Sequence, residues 1–173
     1  MSEKMIGKMI KLTEEEKALC EKISEARFEN NRKSNVTNSK IGGQDNKATD
    51  FIGFSCEFAF CKLFNLFPDF SIEPRSSQAG QDKNSDVRLP NGKTVDVKGT
   101  RYGTGRLLAV PWKSNSTDLF ALIIFSNDVY CFKGFMSANE LLKNERLIDL
   151  GHGLTYAANQ SELLELDDIK LGD

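Results

Sequence analysis

The chain has 173 residues, 39% of them apolar and without a low-complexity run, which is enough to bury one proper hydrophobic core in a single domain. A net charge of −2 excludes a protein that coats nucleic acid through bulk positive charge. No segment approaches the roughly 20 apolar residues that cross a bilayer, and the opening "MSEKMIGKMIKLTEEEK" has no unbroken apolar run, so a soluble, cytoplasmic protein without a signal peptide is expected.

Thr13 followed by Glu16 makes a capping box, and Leu19, Ile23 and Ala26 recur at helical spacing, which predicts a first helix from about Thr13 to about Arg32. The polar stretch that follows, up to about residue 49, is long for a loop in a compact domain and is expected to be mobile or used in binding. A second helix is predicted from about Asp50 to about Leu66. It is apolar on nearly every side, with Phe51, Ile52, Phe54, Phe58, Phe60, Leu63 and Phe64, so its neighbours must bury it. At 100° per residue Ser55, Lys62 and Asn65 share one narrow stripe, whereas Glu57 falls on the far arc and is expected to point inward.

Pro68 closes that helix, and "SIEPRSSQAGQDKN" is read as strand and loop leading to a hairpin over Ser85 to Thr100. "RLLAVPW", "DLFALIIFS" and "DVYCFKGFM" have the composition of strands, the second being a continuous apolar run suited to a central position. A short helix capped by Ser137 and a final strand with a helical turn in "LTYAANQSELLELDDI" complete an α/β layer fold around a mixed sheet. Cys20, Cys56, Cys61 and Cys131 lack metal-site spacing and read as buried free thiols, and His152, between two glycines, reads as a loop residue.

Charge is distributed unevenly. Residues 1–70 hold 11 basic and 11 acidic side chains, residues 71–118 hold 8 and 5, and residues 119–173 hold 4 and 9. The hairpin lies in the basic middle. Its Asp96 and Lys98 share one strand face and Val95 and Val97 the other, as Asp86 and Arg88 oppose Val87 and Leu89. A two-residue Asn91-Gly92 loop would split the two acids between faces. A three-residue loop, with Pro90 and Asn91 central and Gly92 left-handed, sets Asp86 opposite Asp96, and the residue types favour it. Two facing carboxylates repel, so the pair needs a cationic partner, a raised pKa or a bound divalent metal. Glu57 is the natural third acid, and a solvated Asp–Lys pair on an exposed hairpin is the ordinary alternative.

Asp86, the "DVK" of Asp96, Val97 and Lys98, and Glu57 in "GFSCEFAFCKLFN" together resemble the PD-(D/E)xK nuclease superfamily over roughly residues 50–136. Ser85 stands where the motif's proline would be. The resemblance implies a restriction-endonuclease-like α/β/α core, a central mixed sheet flanked by helices, in a small phage or prokaryotic member. It further implies Mg²⁺ or Mn²⁺ held by Asp86, Asp96, the Val97 carbonyl and Glu57, with Lys98 orienting or activating the water that attacks a DNA phosphodiester. DNA is the implied partner, joined by a second copy of the chain in members that cut duplexes. Arg75, Arg101, Arg106 and Lys113 are candidate phosphate contacts and Tyr102 a candidate stacking face, while Trp112 beside "LLAV" suits the core better. The alternative is a nuclease-fold module that binds nucleic acid or a protein partner with little or no turnover.

Overall fold

Thr13 and Glu16 form the capping box their spacing predicts: the Thr13 N–H donates to the Glu16 carboxylate at 2.8 Å and the Glu16 N–H to the Thr13 hydroxyl at 3.1 Å. They open α1 (Glu14–Lys33) in a computed structural model that describes residues 3–33, 46–72, 86–111 and 117–170. The loop expected to be mobile, the "SIEPRSSQAGQDKN" strand, Arg75, Trp112 and Lys113 therefore lie wholly or mainly outside the described residues.

The second helix, α2 (Asn46–Phe64), extends further toward the N-terminus than its apolar run suggests. Its Phe54, Cys56, Phe58, Ala59, Phe60 and Cys61 are buried. Ser55, expected on a polar stripe with Lys62 and Asn65, is buried too, because its hydroxyl donates to the Ile52 carbonyl at 3.2 Å and also meets Tyr130. Satisfied in this way, a hydroxyl can enter a core at little cost.

Among the described residues the strands form two sheets. The larger has the order β1 (Met9–Lys11), β6 (Val129–Ser137), β5 (Leu119–Ser126), β3 (Thr94–Thr100) and β2 (Val87–Arg88). Only β3 and β5 run parallel, so the sheet is mixed, and β5 is central and buried as its apolar run predicts. The smaller sheet has the order β4 (Leu107–Ala109), β8 (Leu154–Ala158) and β7 (Leu147–Asp149).

The layers differ from the expected α/β/α sandwich. One face of the large sheet is covered by α1 and α2 through a core that includes Val95, Val97, Ala121, Ile123, Phe132 and Phe135. The other face, lined by Phe120, Leu122 and Ile124, packs on Leu107, Ala109 and Ala158 of the small sheet and on Leu141 of α3 (Ala138–Leu141). Among the described residues, this face is covered by the three-stranded sheet and the short α3. Of "RLLAVPW", Leu107–Ala109 form a strand, and it belongs to that second sheet and not to the first.

A bulge in β6 shapes the helix-facing core. The register shifts so that Gly134 pairs with Leu122 and Phe132 with Ile123, leaving Lys133 as the extra residue. Phe132 and Phe135, which strict alternation would send to opposite faces, both reach α2, where each ring meets Phe60 and Phe64 at centroid distances of 5.2 to 6.1 Å. Gly134 sits at φ 126° and a Cβ there would lie 2.7 Å from that of Leu163, so only glycine fits. No helix among the described residues is long and apolar enough to cross a membrane.

Candidate metal centre on the hairpin

The turn decides where the acids go. Gly92 is left-handed at φ 86°, its N–H donates to the Leu89 carbonyl at 2.9 Å, and the Leu89 N–H donates to the Lys93 carbonyl at 2.8 Å. This is the three-residue loop. Val87 then pairs with Val95, which sets Asp86 opposite Asp96. Beyond the turn, Asp118 accepts from both the N–H and the hydroxyl of Thr94, at 2.9 and 3.1 Å, and fixes the start of β3 against β5.

Both aspartates are buried, at 8% and 7% exposure, on the face of β3 that looks toward the small sheet. Where β2 ends, the Asp86 side chain replaces it: its Oδ2 accepts the Val97 N–H at 2.8 Å. The carbonyl of Val97 leaves β3 on the same edge as that N–H, as both polar groups of one strand residue do. Lys98 Nζ lies 2.9 Å from Asp96 Oδ2 and is about one-third exposed, so the ammonium stands at the mouth of the carboxylate pair. Burial pushes the Asp96 carboxyl up to about 7. Lys98 pulls it the other way, and the hydrogen-bonding Asp86 carboxylate adds to the rise.

The donor set suits a hard cation. Two carboxylates and a backbone carbonyl are the oxygen ligands that Mg²⁺ or Mn²⁺ accepts alongside water, and a divalent charge would favour the ionised form of Asp96 against the burial and the Asp86 carboxylate that raise its pKa.

Glu57 is not brought to this pair. It is inward and buried as predicted, but α2 packs on the opposite face of β3, where Gly99 lies against Cys56 and Ile52. Glu57 Oε2 instead lies 3.7 Å from Arg27 Nη1. Arg27 also donates to the carbonyls of Ser71 and Asp69, both at 2.7 Å, and stands over the Phe54 ring. No group of three or more His, Cys, Asp or Glu side chains that could hold a metal occurs among the described residues. Glu57 is thus paired with Arg27 on the side of β3 that α2 covers, whereas the Asp96 side chain leaves β3 on the other face.

Arg101, Tyr102 and Arg106 are exposed on the loop that follows β3. Gln160, which the sequence did not mark, donates to the carbonyls of both Gly103 and Gly105 at 2.9 Å. Its contact spans more than fifty residues and carries no local signal. Burial pushes the Cys20 and Cys61 thiols up to about 12 and Cys56 higher still, which keeps all three protonated at neutral pH and out of thiolate chemistry.

Fold and centre define a mixed α/β protein that holds two facing aspartates and a lysine on an edge hairpin. The chain belongs to the family described as Family of unknown function (DUF5843), whose model matches residues 2–169. No curated protein and no solved structure matches it.

Proposed function

We propose that the protein is a metal-dependent nuclease that hydrolyses DNA phosphodiester bonds, built on a restriction-endonuclease-like variant in which a small sheet replaces one helical layer. The observation that carries this reading is the burial of Asp86 and Asp96 face to face with Lys98 2.9 Å from one of them. Burying two acids together is costly, and a bound cation would offset that cost.

In this reading Asp86, Asp96 and the Val97 carbonyl hold Mg²⁺ or Mn²⁺. When bound, the ion supplies a water of lowered pKa and neutralises charge on the phosphate. Lys98 keeps a positive charge at the mouth of the site, where it orients the attacking water and meets the phosphoryl oxygens as their charge grows. Asp86 has a second duty: by accepting the Val97 N–H it fixes the β3 backbone from which Asp96, Val97 and Lys98 project. Glu57 serves packing, not chemistry. Exposed Arg101 and Arg106 supply contacts to the backbone of the substrate.

The Arg27–Glu57 pairing favours a second reading, a nuclease-fold module that binds nucleic acid or a protein partner without turnover, because it keeps a third acid away from the centre. Incubation with plasmid, linear duplex and single-stranded DNA, in Mg²⁺ or EDTA, separates the two. The nuclease reading predicts Mg²⁺-dependent cleavage that falls by about 100-fold or more in Lys98→Ala. Absence of metal-dependent cleavage of every substrate, or equal cleavage by the variant, overturns it.

A further inference from the structure

The loop after β3 is built more firmly than an exposed connection needs to be. Thr100 lies on the same strand face as Asp96 and Lys98, and its hydroxyl accepts the Tyr102 N–H at 3.2 Å. The Gly105 N–H donates to the Tyr102 carbonyl at 2.8 Å, closing a turn over residues 102–105. A Cβ on Gly105 would lie 2.7 Å from the Thr100 methyl and 2.9 Å from the Tyr102 carbonyl, so the turn closes this tightly only with glycine. From outside the loop, Gln160 ties down the Gly103 and Gly105 carbonyls. Gln160 is itself fixed by a 3-10 turn whose capping box joins Asn159 and Glu162, with Arg146 Nη1 3.1 Å from Glu162.

What this scaffold presents is an aromatic ring. Tyr102 is 69% exposed, whereas Tyr130 is buried and Tyr156 half-buried. Exposed Arg101 and Arg106 flank it, and no Asp or Glu occurs between Asp96 and Asp118. The loop thus offers an exposed ring between two exposed arginines in a stretch of sequence without an acid. A polyanion with flat apolar faces matches the set: phosphates meet the arginines and a base stacks on the ring. Bases offer such a face only when they are unpaired, because in a duplex both faces are already stacked.

We infer that Tyr102 is a stacking platform for an unpaired base, and that the hairpin centre therefore acts on single-stranded or locally unpaired nucleic acid. The inference rests on the nuclease reading and deepens it by naming the substrate class. The braced loop serves this role because a platform fixed in advance loses little conformational freedom on binding. Lys98 and Tyr102 are then successive contacts along one strand: the scissile phosphate at the lysine, a neighbouring base on the ring.

Fluorescence anisotropy with labelled single-stranded DNA, single-stranded RNA and blunt duplex DNA, in Ca²⁺ in place of Mg²⁺, tests the proposal on wild type, Tyr102→Ala and Tyr102→Phe. Tyr102→Ala is expected to weaken single-strand binding by at least about five-fold while leaving duplex binding within about two-fold, and Tyr102→Phe to bind as wild type does. Weakening on DNA but not RNA, or on both, supports the platform and identifies the sugar preferred. Unchanged single-strand affinity in Tyr102→Ala, or equal loss on the duplex, overturns the inference while leaving the nuclease reading intact. Wild-type protein that binds none of the three probes overturns both.

Discussion

The Asp86 carboxylate accepts the Val97 N–H at 2.8 Å and continues the β2–β3 ladder past the end of β2. One side chain thereby acts as a strand end and as a candidate ligand. The two duties separate by substitution. Asp86→Asn keeps an acceptor for Val97 and is expected to retain nearly full stability in urea unfolding while losing most metal response. Asp86→Ala leaves a buried N–H without its partner and is expected to cost about 1–3 kcal/mol as well. Equal stability of the two variants would show that the hydrogen bond does not support the strand.

Asp96 makes stability depend on pH in an unusual direction. Its carboxyl is raised to about 7 in the folded chain, so between about pH 4 and that value the folded state holds a proton the unfolded state has lost. Stability contributed by the protonated form is present at low pH and is lost as pH rises through about 7. Asp96→Asn removes this liability. It is expected to be more stable than wild type by about 1–3 kcal/mol near pH 8, with the difference shrinking toward pH 5. Urea titrations at both pH values check the sign, and a variant less stable than wild type near pH 8 contradicts it.

Gly99 marks where α2 rides on β3. A Cβ at that position would lie 2.4 Å from Cys56 Sγ and 2.9 Å from Cys56 Cβ, both on a buried helix with little room to move. Gly99→Ala is therefore expected to cost about 1–3 kcal/mol in chemical denaturation, and Cys56→Ala in the same chain to recover part of it. Gly103→Ala, with nothing within 4 Å of its Cβ, should stay within about 0.5 kcal/mol of wild type.

Glu57 separates the packing role from the ligand role. Glu57→Gln is expected to lower the melting temperature, because Arg27 loses a buried anionic neighbour, while the increase in melting temperature on adding Mn²⁺ stays as in wild type. A lost Mn²⁺ response in Glu57→Gln would restore it to the ligand set.

Much of this was legible in the sequence where the signal is local. The Thr13–Glu16 box, the all-round apolar α2 and the Pro90-Asn91-Gly92 turn each carry their physics within a few residues, and the turn alone sets Asp86 opposite Asp96. What failed was non-local. Strands as short as Met9–Lys11 and Leu147–Asp149 show no periodicity, and the partners that make them strands are distant in the chain. The bulge at Lys133 reverses the parity of Phe132 relative to Phe135, which no alternation count anticipates. Glu57 was placed inward correctly by helical geometry, yet which partner lay inward depended on α2 packing against the far face of β3 and on Arg27 from α1. Gln160 was missed for the same reason.

Calorimetric titration of Mn²⁺ into the protein shows whether the facing aspartates form a divalent-cation site. Near pH 6, in two buffers of different ionisation enthalpy, wild type is expected to bind saturably and to release a proton as Asp96 ionises; near pH 8.5 the release should vanish while binding strengthens. Asp96→Asn should lose the binding. Wild type that fails to bind at millimolar Mn²⁺, or binding unchanged in Asp96→Asn, would show that the facing aspartates are not a cation site.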